Sequence, residues 1–92
     1  MRDYPAGVRR IYDNGGRSVD RYTVYYTEFR YVGRRPLKMF ECVGMNAYPF
    51  SPAGFGQHSE GTLGRHNGKA IKFRDLPKDC QKLVLQDLGM TF

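Results

Sequence analysis

The sequence predicts an α+β fold: a three- to four-stranded antiparallel sheet with a long ordered loop and one C-terminal helix packed on the sheet. Three observations predict this class. The first half has strand-like runs between short turns, the middle is irregular and glycine-rich, and the end shows a helical apolar period. The chain has 92 residues, so we expect one domain over residues 1–92.

The first half predicts three strands joined as a meander. The first covers residues 8–12 and ends at Asn14-Gly15, a step that tolerates the positive φ angles of a tight hairpin turn. The second covers residues 19–29 and is rich in β-branched and aromatic side chains. A turn with glycine and proline then leads to a third strand over residues 37–43.

The two faces of the second strand differ in their predicted environment. Side chains alternate between the faces of a strand, so Tyr22, Val24 and Tyr26 share one face, which we assign to the core. Tyr25 lies on the other face with Arg21, and we expect that face to be half-exposed.

Residues 44–68 show no regular period and contain six glycines and two prolines. A loop of this length in a small domain is usually functional or disordered. Because Tyr48, Phe50 and Phe55 can anchor the segment, we predict an ordered loop.

The C-terminal part predicts the clearest element. Residues 69–73 alternate as a short strand or an extended lead-in. Asp75 then suits a helix N-cap, Pro77 suits the first turn, and Gly89 suits a left-handed C-cap. One helical face is apolar, formed by Leu76, Cys80, Leu83, Val84 and Leu88.

Composition excludes several classes of protein. No apolar run approaches the roughly 20 residues of a membrane span, and the N-terminus lacks the apolar stretch of a secretory signal. Cys42 and Cys80 are too few for a disulfide scaffold or a zinc site, so we expect two buried, reduced thiols in a cytoplasmic protein.

Positive charge is concentrated in the first half of the chain. The net charge is +6, and eight of the ten arginines precede residue 36, interleaved with tyrosines. Arginine and tyrosine suit stacking and phosphate contacts with nucleic acid, and equally a protein-binding face. The candidate binding residues are Arg9, Arg10, Arg17, Arg21, Tyr25, Arg30, Arg34, Arg35, His58 and Arg65.

His58 is the candidate for site chemistry in the loop. A metal site would combine it with His66 and a carboxylate such as Glu60, but the spacing matches no recognised zinc motif. A general acid or base role is open to an imidazole, although no serine or cysteine lies in a nucleophile motif. We favour hydrogen bonds from His58 to loop backbone, and we predict no catalytic residue, metal or cofactor.

The order of several short motifs resembles a family of small, mostly uncharacterised phage and prophage proteins. The resemblance spans about residues 8–88, and its motifs lie at residues 12–16, 20–24, 43–46, 54–58, 68–69 and 75–77. The family implies no activity for this chain. Anti-CRISPR proteins are similar in size and general design, acting as compact binders that block a CRISPR effector.

These observations lead to two functional hypotheses. The first is a non-enzymatic phage-type inhibitor that binds a bacterial protein or nucleoprotein complex, with a CRISPR effector as the specific target, in the cytoplasm of the bacterial host. The alternative is a small nucleic-acid-binding accessory protein of a phage, whose affinity for free DNA or RNA would fall steeply with salt.

Overall fold

The computed structural model describes residues 3–17, 20–32, 37–48 and 55–89. These residues form a five-stranded antiparallel sheet and one α-helix, and none of their helices is long and apolar enough to cross a membrane. The elements are β1 Val8–Asp13, β2 Tyr22–Val32, β3 Leu37–Met45, β4 Phe55–Gly61, β5 Lys69–Ile71 and α1 Lys78–Asp87, with 3₁₀ turns at Arg65–Asn67 and Phe73–Asp75.

The predicted class and the β1–β2–β3 meander are confirmed, whereas the sheet has five strands in the order β4-β3-β2-β1-β5. The additional edge strand β4 lies inside the segment that was expected to be a loop. Its backbone pairs with β3 from Phe40↔Gly61 to Val43↔His58. The turn at residues 33–36 and the loop residues 49–54 lie outside the described residues.

One face of the sheet packs against α1, as the alternation in β2 predicts. Tyr22, Val24 and Tyr26 are buried on this face, which confirms their assignment to the core. The most completely buried side chains of this core are Ile11, Val24, Val43 and Met45 from the sheet and Cys80 and Val84 from the helix.

The apolar face of α1 is confirmed, but the helix begins later than expected. Pro77 is the N-cap, and Asp75 lies in the preceding 3₁₀ turn, where its carboxylate accepts a hydrogen bond from the Lys72 N–H at 3.0 Å. Gly89 follows the helix with φ +78°, which matches the predicted left-handed cap.

The second face of the sheet is covered by residues 62–68. These residues join β4 to β5 at the opposite edge, so they cross four inter-strand spacings, a distance of about 19 Å. The Tyr12 hydroxyl accepts a hydrogen bond from the Gly64 N–H at 3.1 Å, and the Tyr25 O–H donates to Asn67 Oδ1 at 2.8 Å. Beneath this crossing segment a smaller core forms from Tyr12, Tyr25, Phe40 and Cys42, with Leu63 packed on it.

Both cysteines are free and buried, as expected of structural thiols. The Cys80 thiol lies 3.3 Å from the Asn46 carbonyl oxygen, and burial raises the pKa of Cys80 to about 11. Cys42 Sγ lies 3.4 Å from Ser59 Oγ across the β3–β4 pair.

The end of the crossing segment requires a glycine, which leads to a stability prediction. Gly68 has φ +109°, and a Cβ there would lie 2.4 Å from the Asp13 carbonyl oxygen. Gly16 also has a positive φ, +89°, but a Cβ there would meet nothing within 4 Å. We therefore expect Gly16→Ala to cost about 1–2 kcal/mol of unfolding free energy from backbone strain alone, and Gly68→Ala to cost more. Urea denaturation of both variants measures the difference, and equal losses would contradict the close packing at Gly68.

Candidate functional site

An open cleft of about 600 Å³ lies on the helix side of the sheet, at the C-terminal end of α1. Ten helical residues extend about 15 Å, whereas the eleven residues of β2 extend about 36 Å. The helix therefore leaves part of the sheet uncovered. The residues that line the cleft are Gly7, Tyr26, Thr27, Glu41, His58, Asp87 and Leu88.

Strand register brings the sheet residues of the cleft together. Val43 is a core residue that pairs with His58, so His58 points to the helix side of the sheet. Glu41 lies two residues before Val43 on β3 and shares its face, and it pairs with Glu60 on β4. Carboxylates from two neighbouring strands thus face the same side of the sheet.

The Asp87 carboxylate connects β2 and β4 to the end of the helix. Its Oδ2 and Oδ1 lie 2.8 and 2.9 Å from His58 Nε2, and the carboxylate accepts a hydrogen bond from the Tyr26 hydroxyl. The Tyr26 and His58 rings stack, with centroids 6.4 Å apart and an interplanar angle of 28°. His58 therefore contacts a helix side chain from within a strand, and the expectation that it supports an irregular loop was wrong.

The environment of Tyr26 keeps its hydroxyl protonated. Burial is the main cause, and the hydrogen bond to the Asp87 carboxylate acts in the same direction, so the pKa of Tyr26 is raised well above its usual value. In this network Tyr26 is a hydrogen-bond donor that orients the carboxylate.

Sequence reasoning placed Tyr26 only in the core and did not select Asp87. A helix C-terminus disfavours carboxylates, because the dipole there is negative. Asp87 is the last residue of α1, and the last turn of this helix contains no basic residue. An acidic side chain in an unfavourable position was thus the available indication of a specific contact.

A second, shallower depression of about 520 Å³ is lined by the N-terminal segment and the start of β1. It contains Arg9 and Arg10, at a register shift between Val8 and Arg10 in the β1–β2 pair. Arg9 is exposed and Arg10 partly exposed, and neither forms an ion pair within the described part of the chain. Asp3 lies in the same depression, where its carboxylate is 3.8 Å from Lys72 Nζ.

The cleft and this arginine depression share a border. Gly7 and Thr27 line both of them. The Thr27 N–H donates a hydrogen bond to the Gly7 carbonyl at 2.9 Å, so a backbone contact separates the two. An acidic cleft and a basic depression are therefore direct neighbours.

Two of the other candidate arginines stabilise the β1–β2 turn. Arg21 contacts both oxygens of Asp13, at 3.0 and 3.2 Å, and this hydrogen-bonded ion pair lowers the pKa of Asp13. Arg17 Nε donates to the Asn14 carbonyl at 3.2 Å. Both side chains form hydrogen bonds within the protein, and their assignment to a binding surface stays a prediction.

Tyr25 is 3% exposed, so the expectation of a half-exposed position was wrong. The crossing segment covers its ring, and Asn67 Oδ1 accepts a hydrogen bond from its hydroxyl. Tyr12, Tyr22 and Tyr26 are also buried, so the tyrosine side chains that the structure describes on β1 and β2 contribute to the cores.

Arg65 is exposed in the first 3₁₀ turn and lines neither the cleft nor the depression. Arg34, Arg35 and the side chain of Arg30 lie outside the described residues.

The hydrogen bond to Tyr26 predicts a stability effect at Asp87. In Asp87→Ala the buried Tyr26 hydroxyl loses its acceptor, so we expect a loss of about 1–3 kcal/mol of unfolding free energy. The neighbouring exposed change Gln86→Ala is the control and should cost much less. Urea denaturation measures both, and similar small losses would show that the network contributes little.

The tyrosines predict how stability responds to alkaline pH. Burial raises the pKa of Tyr25 to about 12 and that of Tyr26 further, against about 10 in the unfolded chain. Their contribution to the free energy of unfolding is complete below pH 10. It is lost as the pH rises through the pKa values of the folded state, because the unfolded chain then releases protons that the folded protein keeps. The raised pKa of Cys80 also lowers the stability as the pH rises, beginning at about pH 9.

We therefore expect the urea midpoint to fall between about pH 10 and pH 12, and to fall less steeply in Tyr25→Phe. A midpoint with the same pH dependence in both proteins would contradict the burial of the Tyr25 hydroxyl.

Comparison with known proteins returns no match: no family model, no curated protein and no solved structure matches the chain. The resemblance to phage and prophage proteins thus stays a prediction.

Proposed function

We propose that this chain is a non-enzymatic binding protein that uses Arg9 and Arg10 to occupy an anionic surface of a bacterial nucleoprotein complex. The observation that carries the proposal is the depression that both arginines line, where neither forms an ion pair within the described residues. Their charges are available to a partner, in contrast to that of Arg21, which is bound to Asp13.

The chemistry of arginine favours phosphate or carboxylate groups as the contacts. Each planar guanidinium can donate two parallel hydrogen bonds to two oxygens of one phosphate or carboxylate group. Because Tyr12, Tyr22 and Tyr25 are buried, they offer no stacking surface for bases. On β1 and the described part of β2, recognition would therefore rest on charge rather than on base stacking.

A CRISPR effector is the first target to test. Its guide RNA presents phosphate groups, which are anionic partners that arginine recognises, and small size suits a protein that acts by steric occupation. The resemblance to phage proteins supports a bacterial, cytoplasmic setting, and the exposed Arg65 is available as an additional contact.

The proposal predicts that removal of both arginines weakens binding without unfolding the protein. We expect Arg9→Ala with Arg10→Ala to reduce inhibition of target-DNA binding by a purified, guide-loaded effector by about tenfold or more, since hydrogen bonds to charged groups are worth about 1.5–3 kcal/mol each. The matched control is Lys78→Ala with Lys82→Ala, which removes the same charge from exposed helix positions.

A gel-shift titration with effector and target DNA measures the inhibition, and thermal unfolding checks the fold of both variants. Equal inhibition by the arginine variant and the wild type would reject the assigned surface. Absence of inhibition by the wild-type protein would reject this effector as the target.

A titration with free oligonucleotides separates this proposal from the alternative of a nucleic-acid-binding accessory protein. Phosphate contacts release counterions, so affinity for free DNA or RNA would fall steeply as salt is raised. Tight, strongly salt-dependent binding of free oligonucleotides, equal to that of the complex, would favour the alternative.

A further inference from the structure

We propose that the cleft at the end of α1 binds a guanidinium or ammonium group, with Glu41 and Asp87 as its charge partners. A volume of about 600 Å³ is in the range of small-molecule sites. The chain carries a net charge of +6, yet two carboxylates line this cleft. The local charge therefore opposes that of the whole chain.

Glu41 provides the strongest indication of a cationic ligand. Its side chain is half-buried and forms no hydrogen bond or ion pair with any described residue. The residue opposite it on β4, Glu60, is also a carboxylate, so the strand pairing gives Glu41 no directly opposed cation. Partial burial of a carboxylate without a partner is unfavourable, and a cation bound in the cleft would offset that cost.

Asp87 provides a second carboxylate, which is already oriented. The Tyr26 hydroxyl and His58 Nε2 fix its plane, while each carboxylate oxygen can accept more than one hydrogen bond. A ligand would therefore meet a preorganised acceptor, so less conformational entropy would be lost on binding.

The size of the cleft favours an organic cation over a single metal ion. A volume of about 600 Å³ matches that of small-molecule sites and exceeds what one ion would fill. The cleft thus suits either an arginine side chain of a protein partner or a free small amine.

The test uses ¹⁵N-labelled protein with two guanidinium probes, agmatine and the peptide acetyl-Gly-Arg-Gly-amide. The same peptide with citrulline in place of arginine is the neutral control. We expect both guanidinium probes to shift the amide resonances of Tyr26, Thr27, Glu41 and Asp87, and the citrulline peptide to bind at least tenfold more weakly. Tighter binding of the peptide would show that the cleft takes its guanidinium group from a protein side chain. Tighter binding of agmatine would show that the ligand is a free small amine.

A charge-removing variant locates the binding site. Glu41→Gln should bind agmatine at least tenfold more weakly, whereas Asp79→Asn, which removes one charge from an exposed position in the first turn of α1, should bind as the wild type does. Equal binding of the arginine and citrulline peptides by the wild type would overturn the proposal, even if Glu41→Gln fails to fold. Unchanged affinity in a folded Glu41→Gln would overturn it as well.

Discussion

The connection from β4 to β5 is the constraint on which the rest of the structure depends. These strands lie at opposite edges of the sheet, so residues 62–68 must cross its second face. The crossing is fixed by hydrogen bonds to the Tyr12 and Tyr25 hydroxyls and by the close approach of Gly68 to Asp13. Because α1 covers the other face, both sides of the sheet contribute to cores. The cleft and the arginine depression lie where these coverings end.

The mismatch between helix length and strand length creates one of those surfaces. Asp87 ends the helix and is bound from β2 by Tyr26 and from β4 by His58, so the contact spans the intervening strand β3. Glu41 on β3 lies in the cleft beyond the helix end. The network that secures the helix thereby shapes the cleft, and the N-terminal segment with Arg9 and Arg10 adjoins it at Gly7 and Thr27.

Periodicity predicted the parts of the fold that depend on local alternation. The core face of β2 and the apolar face of α1 were both predicted, because the spacing of apolar residues records which side is buried. Strand β4 was missed, since its residues Phe55–Gly61 include two glycines and no β-branched residue. Pairing with β3 overrides that weak propensity.

The candidate site depended on contacts that local sequence does not encode. Alternation assigned Tyr25 to the second face, but a segment some forty residues later decides that this face is covered. The contact between Tyr26 and Asp87 joins residues 61 positions apart. Of the arginines, sequence could not separate Arg21, held by Asp13, from Arg9 and Arg10, because the difference arises from the geometry of the β1–β2 pair.

We propose two neighbouring sites of opposite charge preference, one on each side of Gly7 and Thr27. The most direct measurement is a pair of chemical-shift maps on one labelled sample, with inorganic phosphate in one titration and agmatine in the other. We expect phosphate to shift Arg9 and Arg10, agmatine to shift Glu41 and Asp87, and the two sets to overlap only at the shared border. Identical sets of shifted resonances for the two probes, or shifts spread evenly over the sheet, would contradict the claim.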